Sequence, residues 1–126
     1  MTEMQKRHYH LMLEKNRAMS FFIGKRLGGF CTFYITDDIE LYVKANPWDV
    51  LEDNKNGHIC YVNQLLTDND SSNVDFFYKG WMSFEKYIKE NFKNVETITW
   101  RRYYKHNGKI RTYTRRLYAQ IPCSIT

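Results

Sequence analysis

The fold is decided by residues 58–100, which read HICYVNQLLTDNDSSNVDFFYKGWMSFEKYIKENFKNVETITW. Residues 58–66 are almost continuously apolar, which is typical of a central strand covered on both faces. Residues 95–100 alternate between the two sides, as a half-buried strand does. A polar turn and the strongest helical pattern in the chain lie between these two runs. The stretch therefore predicts a strand–helix–strand unit.

The helix of this unit is marked by a capping box and by one apolar stripe. Ser72 and Asp75 have the S-x-x-D spacing with which side chains cap a helix start. Apolar residues then recur every three or four positions, as on a helix face packed against a core. Gly80 costs the helix about 1 kcal/mol relative to Ala, and it would permit close packing on a sheet. The stripe consists of Val74, Phe77, Tyr78, Trp81, Phe84, Ile88 and Phe92.

Outside this unit the sequence predicts one more helix and several strands. Residues 2–17 carry apolar side chains at helical spacing. Gly28 and Gly29 supply the positive φ that a tight hairpin needs. Asn107 and Gly108 form the strongest hairpin signal in the chain, because both tolerate the φ angles of a type I′ turn. The other predicted elements are strands over residues 19–24, 30–36, 39–43 and 110–118 and a loop over residues 45–57.

Composition places these elements in a single domain spanning residues 1–126. Hydrophobic residues make up 43% of the chain and aromatic residues 17%, which excludes a disordered tail. No apolar run approaches the roughly 18 residues of a membrane helix, and no secretory signal follows the polar N-terminus. Three cysteines without close or zinc-type spacing predict neither disulfides nor a metal site, and they favour a cytoplasmic location. The predicted fold class is α+β, with a mostly antiparallel central sheet flanked by two helices.

Positive charge is concentrated near the C-terminus. The chain has a net charge of +5, and residues 95–126 contain seven basic side chains and one acid, Glu96. That segment carries +6, which leaves −1 for residues 1–94. Such a block indicates a phosphate-bearing partner. It is equally consistent with an edge hairpin that its charges protect from aggregation.

A two-residue turn at Asn107 and Gly108 would place basic and aromatic side chains together on one face of the hairpin. In that register Tyr104 pairs with Arg111 and Arg102 with Tyr113. This face would bind nucleic acid or an acidic protein through charge and stacking, or hold a phosphorylated cofactor. Cross-strand packing within the ribbon is the alternative explanation. The predicted face comprises Trp100, Arg102, Tyr104, Lys109, Arg111, Tyr113 and Arg115.

Candidate catalytic side chains are those able to move a proton in amine acylation. Glu40 and His58 are the candidate bases, and Tyr104 or its neighbour Tyr103 is the candidate acid. Ordinary surface or packing roles are the alternative for each of them. His8 and His10 lie two positions apart and would face different sides of a helix, so they do not predict a metal pair.

The order of elements from residue 19 to residue 100 resembles the GNAT superfamily of acyl-CoA N-acyltransferases. Residues 20–35, SFFIGKRLGGFCTFYI, are similar to that family's second and third strands, and residues 58–66 to its fourth. The resemblance implies a GNAT-like fold and transfer of an acyl group from acetyl-CoA or another acyl-CoA to an amine. In that family a glycine-rich loop holds the pyrophosphate of coenzyme A. Here residues 67–73 contain no glycine and two acids. The donor-binding residues implied by the resemblance are Asn63, Gln64, Leu65, Ser71, Ser72 and Asn73.

The layout is also similar to the toxin-activating acyltransferases, a divergent branch that lacks the glycine loop. That likeness implies an acyl carrier protein as donor and a catalytic pair of an N-terminal His with an Asp on the central strand. His8 or His10 would take the place of the His, and Asn63 falls at the place of the Asp. The sequence thus predicts a divergent N-acyltransferase or a degenerate relative of one. The alternative is a non-catalytic binding module that uses the basic hairpin.

Overall fold

Five strands form one sheet, and three helices accompany it. The computed structural model describes residues 2–67 and 74–117. Neighbouring strands in the sheet follow chain order, β1-β2-β3-β4-β5. The elements are α1 (Glu3–Glu14), β1 (Ala18–Ile23), β2 (Arg26–Thr36), α2 (Glu40–Lys44), β3 (Ile59–Thr67), α3 (Val74–Asn91), β4 (Thr97–Tyr104) and β5 (Lys109–Arg116).

The sheet is mixed. β1, β2 and β3 run antiparallel to one another, and so do β4 and β5. β3 and β4 are parallel, from Ile59 opposite Thr97 to Val62 opposite Trp100. A parallel pair needs a crossover connection, and α3 provides it. The α+β class is therefore confirmed, whereas the sheet contains one parallel pairing and the described part of the chain has three helices instead of two.

The first helix agrees with its sequence signals. The Thr2 side chain accepts a hydrogen bond from the backbone N–H of Gln5, and the Gln5 side chain accepts one from the backbone N–H of Thr2. This reciprocal pair satisfies donors that a helix start leaves open. Asn16 follows the C-cap with a φ of 59°, the left-handed conformation that ends many helices. The helix therefore stops before β1.

The strand predicted over residues 39–43 is wrong, because this segment forms the short helix α2. The Asp38 carboxylate accepts a hydrogen bond from the backbone N–H of Glu40 at 3.0 Å, which favours a turn at that point. Tyr42 is the buried residue of the helix and stacks on Tyr34 with ring centroids 4.3 Å apart. Leu41, which the alternation assigned to a buried face, is 61% exposed. Burial of the Tyr42 ring against Tyr34 therefore outweighs the alternating pattern that predicted a strand.

The hairpin turn predicted at Gly28 and Gly29 is also wrong, because both residues lie within β2. The chain turns at Gly24, whose φ is +61°. The pairing of β1 with β2 skips Gly28, which makes it a bulge residue. Gly29 lies against β3 so closely that an added Cβ would stand 2.7 Å from the carbonyl oxygen of Leu66. The second glycine therefore serves strand packing.

The main core lies between the sheet and α3. Phe84, Ile88 and Phe92 are buried there against Phe33 and other β-strand side chains. The stripe predicted for α3 is thus confirmed toward its C-terminal end, whereas Phe77 and Tyr78 are about half exposed or more. Gly80 allows close packing, because an added Cβ would meet the Phe21 ring at 3.3 Å. Ser72 of the predicted capping box lies outside the described residues.

A buried ion pair joins the end of α1 to the loop before β3. The guanidinium of Arg17 donates to Asp53 through Nε at 2.6 Å and Nη2 at 3.1 Å. The same carboxylate accepts a hydrogen bond from the backbone N–H of Ile35 at 2.8 Å. The Arg17 and Asp53 side chains are only 11% and 6% exposed. This two-point contact fixes the loop against β2.

The hairpin of β4 and β5 has a register two residues away from the predicted one. Arg102 faces Arg111, and Trp100 faces Tyr113, because the connection spans four residues instead of two. A shift of two leaves every side chain on its predicted face, since strand faces repeat with period 2. The predicted pairs are therefore wrong, and the predicted grouping of residues on one face is confirmed.

Candidate functional site

A bulge in the central strand lies where β3 and β4 separate. The pairing with β2 runs from Thr32 opposite Gln64 to Phe33 opposite Val62, so it skips Asn63. The parallel pairing with β4 ends at Val62. Residues 64–67 consequently pair with β2 alone, and residues 101–104 with β5 alone. Bulges of this kind re-aim side chains and are frequent beside active sites.

The bulge directs Asn63 to the side of the sheet where α1 lies, and there it meets His8. Asn63 Nδ2 lies 3.4 Å from Nε2 of His8. Thr32 Oγ1 lies 3.0 Å from the same nitrogen, and the Trp48 carbonyl oxygen lies 3.2 Å from Nδ1. We call these four residues, His8, Thr32, Trp48 and Asn63, the His8 cluster.

The partners of His8 indicate which of its nitrogens carries the proton. A carbonyl oxygen can only accept, so Nδ1 donates its hydrogen to Trp48. The Nε2 lone pair then accepts from the Thr32 hydroxyl and faces the Asn63 amide. The His8 side chain is completely buried, and burial lowers the pKa of His8 below its ordinary value of 6.5. His8 is therefore neutral at pH 7, with a basic nitrogen turned toward the bulge.

The loop between α2 and β3 covers the His8 cluster. Asn63 Nδ2 donates to the Pro47 carbonyl oxygen at 3.0 Å, and the Trp48 ring packs edge-on against His8 with centroids 5.8 Å apart. Further along the loop, the Arg17–Asp53 pair anchors the chain. This loop therefore contributes to the burial of His8.

An apolar cavity of about 30 Å³ lies on the opposite side of the sheet, under α3. Val62 lines it from before the bulge, and Leu65 and Thr67 line it from after the bulge. Cys31 also lines this cavity, and burial raises the pKa of its thiol to about 12. A thiol with so high a pKa is not a nucleophile at neutral pH. The chemistry-bearing side chains therefore lie on the His8 side.

The predicted catalytic residues are not brought together. Glu40 is exposed on α2 and lies 3.8 Å from Lys44, not on the polar face of a strand as expected. His58 pairs with Asp37 at 2.7 Å at the solvent-exposed start of β3. Tyr104 is at the far end of β4, seven residues beyond Thr97, which spans roughly 23 Å at 3.3 Å per residue. The three side chains thus lie at separate places and do not form one proton-transfer site.

The protonation of two of these residues is set by neighbouring groups. The Asp37 carboxylate raises the pKa of His58, and His58 lowers the pKa of Asp37. A hydrogen bond between the Tyr104 and Tyr113 hydroxyls raises the pKa of Tyr104. Tyr104 therefore keeps its proton at neutral pH.

The predicted donor-binding residues fall partly in the described chain. Asn63 belongs to the His8 cluster, Gln64 pairs with Thr32, and Leu65 borders the apolar cavity. Ser71, Ser72 and Asn73 lie outside the described residues. The candidate bases chosen from side-chain chemistry did not include His8, which was named only through the likeness to the toxin-activating acyltransferases.

The predicted basic face is divided between packing and exposure. Trp100 packs against Trp81 of α3 at 5.1 Å and stacks on Tyr113 at 5.7 Å. Arg115 forms an ion pair with Glu85, which also accepts from the Trp81 indole. Trp100 therefore packs against the core, and Arg115 ties the hairpin to α3 through Glu85. Farther along the ribbon lie Arg102, Tyr104, Lys109 and Arg111, of which all but Tyr104 are exposed.

A search against models of known protein families found no match, and a search of curated proteins found none either. No helix in the described ranges is long and apolar enough to cross a membrane. Within the same ranges, no group of three or more His, Cys, Asp or Glu side chains is arranged to hold a metal ion.

Proposed function

We propose that this chain is a divergent acyltransferase that moves an acyl group from a thioester donor to an amine. The observation that carries the proposal is the coincidence of three features at Asn63. β3 bulges at Asn63, and the parallel pairing of β3 with β4 ends at the preceding residue. The Asn63 side-chain amide faces the basic nitrogen of His8. The separation of β3 and β4 offers a place for an extended donor arm between the two strands.

His8 is the proposed general base. The amine nitrogen bonds to the thioester carbonyl carbon, the carbon–sulfur bond breaks, and the sulfur leaves as a thiolate. The proton lost by the amine passes to Nε2 of His8 and from there to the thiolate. Because burial lowers the pKa of His8, the nitrogen is free to accept that proton at pH 7. Asn63 acts as a positioning residue, since its amide hydrogens face Nε2 and the Pro47 carbonyl oxygen.

Donor use is tested with acetyl-CoA, palmitoyl-CoA and palmitoyl-loaded acyl carrier protein. Binding is measured by calorimetry, and release of free thiol is followed with Nα-acetyl-lysine amide as the acceptor. We expect binding of at least one donor and amine-dependent thiol release. Absence of both with all three donors would overturn the proposal.

The role of His8 is tested with two histidine variants on the same helix. Loss of a general base typically costs 10²- to 10⁴-fold in rate, so His8→Gln should reduce thiol release by at least about 100-fold. His10→Gln is the matched control, because His10 is exposed on the same helix and should keep wild-type activity. Urea unfolding of both variants separates a lost base from a lost fold. A folded His8→Gln protein with full activity contradicts the assignment.

A further inference from the structure

The part of the β4–β5 hairpin beyond Trp100 is a ribbon that pairs only with itself. β4 loses its β3 partner after Trp100, while its pairing with β5 continues to Tyr104 opposite Lys109. α3 packs on the hairpin at Trp100 and at Arg115. Side chains closer to the hairpin turn than Trp100 and Arg115 therefore lie on the α3 side of the sheet but are less covered by α3.

Two arginines lie directly opposite each other on this ribbon. Arg102 and Arg111 are cross-strand partners, and like charges in that arrangement repel. Their guanidinium carbons lie 5.3 Å and 5.5 Å from the centroid of the Tyr104 ring. A cation–π contact holds a guanidinium in place but does not neutralise its charge.

No acid is available within the hairpin to balance the pair. Residues 97–117 contain no Asp and no Glu. The contrast with two other arginines is informative: Arg17 is paired with Asp53, and Arg115 with Glu85. Arg102 and Arg111 are exposed, lie opposite each other and both contact the Tyr104 ring, and they thus form a site suited to a doubly hydrogen-bonded anion such as phosphate.

We propose that Arg102 and Arg111 bind the phosphate of the donor's phosphopantetheine arm. The inference rests on the proposed function. Both coenzyme A and acyl carrier protein present their thioester at the end of such an arm. The arginine pair lies on the α3 side and the His8 cluster on the α1 side, with the separated ends of β3 and β4 between them. The arm would pass from one side to the other through that separation.

The charge of the residues that follow β3 in the sequence favours this assignment. The connection that follows β3 contains Asp68 and Asp70 and no glycine. Two carboxylates in that loop disfavour a phosphate there. The paired arginines supply the missing positive charge from the neighbouring strand.

The experiment compares two probes that differ by one phosphate, S-palmitoyl-pantetheine and S-palmitoyl-4′-phosphopantetheine. A charge-assisted, doubly hydrogen-bonded contact is worth about tenfold or more in affinity. We expect wild-type protein to bind the phosphorylated probe about tenfold more tightly, and less so at high salt. Arg102→Gln/Arg111→Gln should lose that preference and keep its affinity for the probe without phosphate.

The matched control is Lys25→Gln/Lys55→Gln, which removes the same charge from exposed positions outside the hairpin. This variant should keep the phosphate preference. Circular dichroism and urea unfolding should show the arginine variant folded, since the change relieves repulsion. Binding of palmitoyl-CoA and of palmitoyl-loaded carrier protein is measured as well. If the arginine variant loses affinity for only one of these two donors, that donor is the natural source of the phosphate.

Two results would overturn the inference while leaving the proposed function intact: equal binding of both probes by wild-type protein, or an unchanged preference in the arginine variant. Failure of wild-type protein to bind either probe, either palmitoyl donor or acetyl-CoA removes both proposals. Salt-sensitive binding of a single-stranded oligonucleotide such as dT20 is a separate arm. If the arginine variant loses that binding and wild-type protein shows no phosphopantetheine preference, the pair is assigned to nucleic acid instead.

Discussion

His8 Nε2 and Asn63 Nδ2 lie 3.4 Å apart, although 55 positions separate the two residues in the sequence. One comes from α1 and the other from the bulge in β3, so the contact exists only in the folded chain. Because Nδ1 of His8 donates to the Trp48 carbonyl oxygen, the nitrogen facing Asn63 is the one with the lone pair, which also accepts from the Thr32 hydroxyl. The contact therefore defines a single basic atom beside the separation of β3 and β4.

Replacing Asn63 by Asp should raise the pKa of His8. A carboxylate at this distance favours the imidazolium ion, whereas the native amide does not. The ¹H NMR titration of the His8 ring measures the change, with Asn63→Ala as the control for lost packing. If the midpoint in Asn63→Asp is no higher than in Asn63→Ala, the side chain of residue 63 does not face His8. Under the proposed function, Asn63→Asp should also retain thiol release.

His8 and His58 should titrate on opposite sides of pH 6.5. Burial lowers the pKa of His8, and the Asp37 carboxylate raises that of His58. The same NMR titration resolves both midpoints, and His58→Gln identifies the upper one. If both histidines titrate with midpoints near 6.5, neither the burial of His8 nor the pairing of His58 with Asp37 exists in solution.

These shifts act on stability with opposite signs. Below pH 6.5 His8 is protonated in the unfolded chain but stays neutral in the folded chain. The contribution of His8 to the free energy of unfolding is therefore lost as the pH falls below 6.5. The contribution of His58 is present below pH 6.5 and is lost as the pH rises through its higher folded value. Urea midpoints of His58→Gln and wild-type protein should therefore converge above that folded value.

Asp53→Asn should destabilise the protein by about 3 kcal/mol, the usual cost of leaving a buried charge without its partner. The change removes the counter-ion of Arg17 and weakens the acceptor for the backbone N–H of Ile35. Glu52→Gln is the adjacent control, because its pairing with Lys15 leaves the Glu52 side chain 96% exposed. That control should change the free energy of unfolding by less than about 0.5 kcal/mol. Equal urea midpoints for the two variants would show that the buried Arg17–Asp53 pair contributes no more to stability than the exposed Lys15–Glu52 pair.

Gly57→Ala should cost more stability than Gly24→Ala. A Cβ at position 57 would stand 2.6 Å from the backbone carbonyl carbon of Thr36, so the strand would have to move. Overpacking of this kind costs roughly 2 kcal/mol or more. Gly24 has open space around it, and only its φ of +61° resists a side chain, at about 1 kcal/mol. The order of the two urea midpoints tests the close approach at Thr36.

Local sequence signals predicted those elements whose cause is local. The helical spacing of residues 2–17, the apolar run of the central strand and the helical period of α3 are properties of neighbouring residues, and all three elements are present in the fold. Alternation misled at residues 39–43, where burial of Tyr42 against Tyr34 produces a helix. Glycine pairs misled at Gly28 and Gly29, because one forms a bulge and the other accommodates β3. In both cases a tertiary contact outweighed the local preference.

The candidate site was predictable only in part for the same reason. Hairpin alternation grouped Arg102 with Arg111 correctly even though their register was wrong, since a shift of two preserves faces. Nothing in spacing or composition brings position 8 to position 63. That contact depends on the skipped residue in β3, and bulges leave no reliable mark in a single sequence.

Because the pairing with β2 skips Asn63, the residues of β3 that face α3 change from even-numbered to odd-numbered at that point. Even-numbered Cys60 and Val62 face α3 before it, and odd-numbered Leu65 and Thr67 do so after it. Substituting Asn63 leaves this arrangement in place. Deleting it would leave Val62 opposite Phe33 and Gln64 opposite Thr32, so that Leu65 would still face α3 and only the contact with His8 would be lost. The extra residue is therefore not needed to match the two layers to the sheet; it adds one side chain on the α1 side, and that side chain is the one that meets His8.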